Sequence, residues 1–265
     1  MPKQPQAAFE SVFAFSPNRE TAGGTSYLIL ENCALGDASA PMDATSRGTG
    51  EDLGSGRSEI SGSEISGNEI AGEISGNCLV DCPPWTEDTR QFLHDRGGVR
   101  WLVITHRDAI ATLKIVREIQ AEFKCQVIIQ EQEAYLLPGL DLVTFHQERA
   151  IAPHLHLLWT PGYSPGSSCL HLQRYGGVLF SGRHLLPTPQ GQLRPHKQPK
   201  TFHWIRQHRS LEMLRSRFTA DTLSYCCPGA SIGFLRGKKR IDQAYAHICA
   251  SLDASLELNA QSLPS

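Results

Sequence analysis

The sequence contains no run approaching the ~18 consecutive apolar residues that would span a bilayer, and the opening MPKQPQAA lacks the apolar core of a secretory signal. It lacks an excess of either charge: 25 basic against 27 acidic side chains give a net −2, which argues against a general nucleic-acid coat protein. Cysteine is too sparse for a secreted disulfide scaffold, with eight residues (Cys33, Cys78, Cys82, Cys125, Cys169, Cys226, Cys227 and Cys249) spread over 265. With no export signal these read as reduced thiols, several of them packing as small hydrophobes. Together the absences point to a soluble cytoplasmic chain with no membrane partner. What is present, 40% hydrophobic and 20% charged residues, suffices for a sizeable core and excludes a wholly disordered, collagen-like or coiled-coil chain. The length admits one large domain or two small ones.

The near-neutral total hides an asymmetry. Residues 36–77 hold nine Gly, eight Ser, eight acidic side chains, two Arg and no aromatic, so the remainder carries 23 basic against 19 acidic residues. Within that stretch Glu59-Ile60, Glu64-Ile65 and Glu69-Ile70 recur every five residues, and Glu73-Ile74 follows after four. A period of five matches neither a helix face nor a strand face. Four isoleucines among so many Gly, Ser and Glu bury too little surface to offset the entropy of ordering. A short β-solenoid or an acidic docking tail is the alternative; the expectation is a solvated, disordered low-complexity loop inserted into one domain formed by residues 1–35 and 78–252. Residues 253–265 read as a flexible tail.

Outside the insertion, strands come first and then alternate with helices. Val12–Phe15, Tyr27–Leu30, Cys78–Val80 and Trp101–Ile104 read as strands. Thr86 caps a helix running to about Arg96, with Glu87 and Asp88 suiting its dipole. Ala109–Phe123 is predicted helical, being apolar at Ile110, Leu113, Val116 and Ile119. Val127–Ile129, Leu140–Phe145, Leu155–Trp159, Ser168–Gln173 and Val178–Phe180 are further strand candidates. Helices over Thr201–Arg217 and Lys238–Leu252, with a strand near Leu223 between them, close a mixed α/β domain.

Three punctuated sites follow strands, where such sheets present their ligands. Thr105-His106-Arg107-Asp108 is a polar cluster after a buried strand, and Ser181-Gly182-Arg183-His184 ends another. Between them, Thr160-Pro161-Gly162-Tyr163-Ser164-Pro165-Gly166-Ser167 builds a rigid double turn around Tyr163. The bland readings are that Asp108 merely N-caps the next helix, and that His154 and His156 sit on a sheet surface rather than on a metal. Cys78-x-x-x-Cys82 and Cys226-Cys227 lack structural-zinc spacing. No nucleophile elbow and no phosphate loop occurs. The basic runs Arg236–Arg240, opening a helix, and Arg194–Lys200 are of a kind usually solvated.

In this order, Gly23-Gly24-Thr25-Ser26-Tyr27-Leu28-Ile29, Leu79-Val80-Asp81, Ile104-Thr105-His106, Thr160-Pro161-Gly162-Tyr163-Ser164-Pro165-Gly166-Ser167, Leu179-Phe180-Ser181-Gly182 and Cys227-Pro228-Gly229, the sequence resembles the metallo-β-lactamase-fold hydrolases. The stretch around His106-Arg107-Asp108 is most similar to variants from cyanobacteria and plants. The resemblance implies a four-layered αββα sandwich of two mixed sheets with helices outside. It also implies a cluster of His and Asp holding one or two zinc or iron ions that activate water. Carried over position by position, the first ligand is His106, while the others fall on Asp108, Ile110, Ala111, Tyr163, Arg183 and Ala230. Only one of the seven is kept, and Arg183 puts a fixed cation where the family has an anionic bridge.

The expectation is therefore a degenerate homologue without the dinuclear site or any cofactor, serving as a ligand-binding or protein-interaction module, its partner a small anionic ligand or a protein. In it Arg183 pairs with Asp108 and Tyr163 fills the freed volume. The alternative is a metal-dependent hydrolase of the ester, thioester or phosphodiester class, with zinc or iron on a rebuilt site of His106, Asp108 and His184. An RNA-associated protein using Arg236–Arg240 is weaker still; nucleic acid is not the expected partner.

Overall fold

A computed structural model describes residues 4–31, 76–199 and 201–261, with side chains to residue 254; the insertion expected at 36–77 lies outside these apart from Gly76 and Asn77. Seven strands form the first sheet in sequence order: β1 (Gln6–Phe9), β2 (Val12–Ala14), β3 (Tyr27–Ile29), β4 (Cys78–Val80), β5 (Trp101–Ile104), β6 (Gln126–Gln130) and β7 (Leu142–Phe145). The β1–β4 pairs are antiparallel and the β4–β7 pairs parallel. The second sheet has the order β15-β14-β11-β10-β9-β8, formed by β8 (Glu148–Ala152), β9 (Leu155–Trp159), β10 (Ser168–Leu172), β11 (Val178–Phe180), β14 (Tyr225–Cys227) and β15 (Ile241–Asp242). A small hairpin, β12 (Leu186–Pro187) with β13 (Leu193–Arg194), stands apart.

Alternation along the strands builds three apolar layers. Tyr27, Ile29, Val103 and Ile128 face Leu155, Leu157, Leu170 and Phe180 between the sheets. Their neighbours Leu28, Leu102, Ile104 and Ile129 point the other way, onto Phe92 and Leu93 of α1 (Glu87–His94) and Val116 and Ile119 of α2 (Leu113–Phe123). Leu158, Cys169 and Leu179 on the outer face of the second sheet meet Leu211 and Leu214 of α3 (Trp204–Arg217) and Ile248 of α4 (Ala244–Gln261). The result is the αββα sandwich. Cys226 and Cys227 point into different layers, and burial pushes the thiols of Cys82, Cys169 and Cys226 up to about 12, so they stay protonated.

Several boundaries differ from the sequence reading. Strands β1 and β8 lie at sheet edges, where the exposed Gln6-Ala7 and Glu148-Arg149-Ala150 show no apolar alternation to betray a strand. The helix expected from Ala109 starts at Leu113, because Thr112 is the true cap and accepts from Ile115 N at 3.2 Å. Residues 107–109 form a short 3₁₀ turn capped by His106, so Asp108 is not an N-cap. The basic run Arg236–Arg240 leads into β15 rather than opening a helix. α4 begins at Ala244 and continues to Gln261, past the predicted end at 252. Among the described residues no helix is long and apolar enough to cross a membrane.

Candidate functional site

Four of the sequence-predicted positions, His106, Asp108, Tyr163 and Arg183, converge where strands of both sheets end. Asp81 follows β4 and adopts a left-handed backbone (φ 63°), which Asp tolerates better than most residues. Its carboxylate accepts from Thr105 N at 2.8 Å and from the Thr105 hydroxyl at 2.8–2.9 Å. Thr105 O in turn accepts from Ser168 N at 2.8 Å, joining the end of β5 to the start of β10. Gly182 (φ 50°) and Gly229 stack here: a Cβ on Gly182 would come within 2.6 Å of Thr105 Oγ1, and one on Gly229 within 2.8 Å of Gly182. Only glycine allows that approach.

The Thr105 hydroxyl also lies 2.8 Å from His106 Nδ1. Its single hydrogen goes to the carboxylate when Asp81 is ionised, so Nδ1 carries the hydrogen of the imidazole and Nε2 is left as a lone pair. That Nε2 is buried and has no hydrogen-bond partner among the described residues. Burial, then the Arg183 charge, pushes His106 down to about 3 and keeps the ring neutral. Burial likewise raises Asp81 to about 7, against the pull of its Thr105 bonds and of Arg183.

Tyr163, held between the two Pro-Gly turns, is 1% exposed and fills the centre of this region. Its hydroxyl donates to Asp108 Oδ2, and its ring meets His106 edge-on with centroids 5.2 Å apart. Burial and then the bond to Asp108 push the phenol up to about 12, so it remains the donor. The Arg183 guanidinium lies over the Tyr163 ring, 5.9 Å from its centroid. The expected Arg183–Asp108 ion pair does not form among the described residues. Arg183 instead donates to Thr21 O (3.0 Å), which also accepts from Gly24 N, and to Ala22 O (2.8 Å), carbonyls at the end of a short 3₁₀ turn. Its Nε is buried without a partner among the described residues.

The remaining positions offer no lone pairs. Ile110 and Ala111 pack with the helix layer over the first sheet, and Ala230 is buried beside Gly229. His184, the third ligand of the hydrolase alternative, is buried in its own surroundings, and desolvation pushes it down to about 3. Among the described residues no three His, Cys, Asp or Glu side chains stand close enough to hold one ion, so His106, Asp108 and His184 are not brought together. A zinc or iron ion here would meet one free imidazole nitrogen, a carboxylate engaged by Tyr163 and a guanidinium. That donor set does not fit a divalent cation. The histidines of the His154-x-His156 pair also part: His154 Nε2 lies 2.8 Å from Glu31, while His156 Nε2 donates to Pro153 O at 3.0 Å. In the basic run, Arg240 is structural, stacked on Phe9 and Tyr225 and donating to Ala8 O. The sequence places Thr105 in a polar cluster but gives Asp81 no role; Leu79-Val80-Asp81 and Ile104-Thr105-His106 mark where strands β4 and β5 end side by side.

No protein-family model matches the chain, and no curated protein matches it by sequence. Solved structures do. A metallo-beta-lactamase from Pontibacter korlensis aligns over 94% of this chain and 98% of its own at 14% identity, with a TM-score of 0.57. A metallo-beta-lactamase family protein from Thermus thermophilus aligns over 96% and 82% at 14% identity, TM-score 0.55. The BLEG-1 B3 metallo-beta-lactamase aligns over 82% and 90% at 14% identity, TM-score 0.51. Identities this low carry the fold and say nothing of the chemistry. With the αββα layers and these alignments in agreement, the chain has the metallo-β-lactamase fold.

Proposed function

We propose that this protein is a metallo-β-lactamase-fold homologue whose metal centre has been replaced by an organic cluster, and that it binds a small anion rather than hydrolysing a substrate with metal-activated water. What supports this reading is the packing of the site: Tyr163 occupies its middle with its hydroxyl on Asp108, and the Arg183 guanidinium lies over the ring. A buried cation without an acidic partner in hydrogen-bond contact favours an anion beside it, and the unpartnered Nε of Arg183 is a ready donor.

Thermal unfolding of the full chain in sodium phosphate, at constant ionic strength, tests this reading. Binding to the folded state raises Tm by about 3 °C at a concentration tenfold above Kd. The shift is expected in the wild type and lost in Arg183→Met. Equal shifts in both proteins, or none in the wild type, contradict the reading.

One observation favours a second reading. The buried, unpartnered Nε2 of His106 is the face a catalytic or metal-bound histidine would use, as a rebuilt hydrolase site around His106 and Asp108 requires. Metal content separates the two.

A further inference from the structure

On the outer face of the second sheet, β9 and β10 bring His156 and His171 to paired register positions. The C-terminal end of α3 and the turn after it lie beside them and line an open cavity of about 420 Å³. Its apolar lining includes Leu158 and Phe218, both buried. The rest of the wall carries both signs of charge, with Arg217 at the end of α3 and Asp221 on the following turn.

His171 is fixed in one tautomer. Its Nε2 lies 3.2 Å from Thr222 O, and since a carbonyl only accepts, the hydrogen is on Nε2 and Nδ1 is an acceptor. The ring rests on Phe218 with centroids 4.5 Å apart, and burial pushes the imidazole down to about 4, so it is neutral at pH 7. Arg217 Nη1 is tied to Glu148 at 2.8 Å, which steadies the guanidinium and leaves its other donors without protein partners among the described residues.

We propose that this cavity binds a small zwitterion, an α-amino acid with an apolar side chain of about leucine size. The carboxylate sits on Arg217, the ammonium between Asp221 and Nδ1 of His171, and the side chain on Phe218 and Leu158. A simple anion in the cavity would lie beside the Asp221 carboxylate, and a simple cation beside the guanidinium donors of Arg217 that Glu148 does not engage; a zwitterion answers both. The volume falls within the roughly 300–1,000 Å³ of small-molecule sites.

Calorimetric titration of the full chain near neutral pH tests this with three probes. These are L-leucine, 4-methylpentanoate, which lacks the ammonium, and 3-methylbutylamine, which lacks the carboxylate. Leucine is expected to bind at least about tenfold tighter than either analogue, the value of one charge-assisted hydrogen bond. Arg217→Gln should erase the preference for leucine over the amine, and Asp221→Asn the preference over the acid. Both positions are exposed, and a melting curve confirms that each variant folds. Either analogue matching leucine overturns the proposal. So does the absence of binding heat up to the solubility limit of leucine, or a preference unchanged in both variants.

Discussion

At the strand ends between the two sheets, polar groups are turned upon one another; on the outer face of the second sheet, they line an open cavity. Asp81 holds Thr105, Thr105 holds His106, Tyr163 holds Asp108, and Arg183 closes on the Thr21 and Ala22 carbonyls. Among the described residues, His106 Nε2 and Arg183 Nε are the buried polar atoms of that network left without a partner. In the cavity, by contrast, Arg217 and Asp221 reach solvent beside Phe218 and His171. The difference teaches that one fold can satisfy polar groups against each other at its strand ends while leaving others open to solvent on its outer face. Substitutions of Tyr163 should act mainly on stability, whereas those of Arg183 in the first region and of Arg217 and Asp221 in the cavity should act mainly on binding.

The largest expected effect is in the closed region. Tyr163→Ala empties the centre and should lower unfolding free energy by about 3–5 kcal/mol in urea titration, as large-to-small core changes do. A loss below about 1 kcal/mol would mean that Tyr163 is not the packing that fills this end. Tyr163→Phe keeps the ring and removes only the donor to Asp108, for an expected loss of about 1–2 kcal/mol.

Acid sensitivity comes next and sharpens the contrast. Burial holds His106 and His184 down to about 3 and His171 down to about 4, whereas unfolded imidazoles titrate near about 6.5. Between those values the unfolded chain binds more protons, so these groups make stability rise with pH up to about 6.5. Asp81, raised to about 7, works the other way: the folded state keeps a proton the unfolded chain loses, so its contribution falls from pH about 4 to about 7. Burial raises Glu133 in the same direction. Three imidazoles outweigh two carboxyls, so Tm should climb from pH 4.5 to 6.5, and Asp81→Asn should steepen the climb. A slope unchanged by Asp81→Asn would remove Asp81 from the account. The smallest effect belongs to the cavity: Asp221→Asn should alter stability by no more than about 0.5 kcal/mol, and a larger loss would break the distinction between the two regions.

Much of this was legible in the sequence. The buried strands announce themselves as short apolar runs, and the double Pro-Gly turn fixes Tyr163 whatever surrounds it. That Ile110, Ala111 and Ala230 cannot ligate a metal can be read without coordinates, because an alkyl group has no lone pair. What could not be read were partners. Arg183 chooses carbonyls over Asp108 because a 3₁₀ turn more than 160 residues away ends beside it. The edge strands β1 and β8 carry too few buried residues to alternate visibly, and the start of α2 rests on one hydroxyl, that of Thr112, outcompeting Asp108 as cap. The cavity is not legible in the sequence, because His171, Arg217 and Asp221 come from separate elements that the packing of α3 on the sheet brings together.

The most direct test of the central claim, that an organic cluster stands where relatives of this fold hold metal, is the metal content of the full-length, untagged protein. It would be measured by inductively coupled plasma mass spectrometry after incubation with zinc or iron and exhaustive dialysis, with Asp108→Ala alongside. The account predicts far less than one ion per chain, and no difference in the variant. Near-stoichiometric metal in the wild type that falls in Asp108→Ala would contradict it and restore the rebuilt hydrolase site around His106 and Asp108.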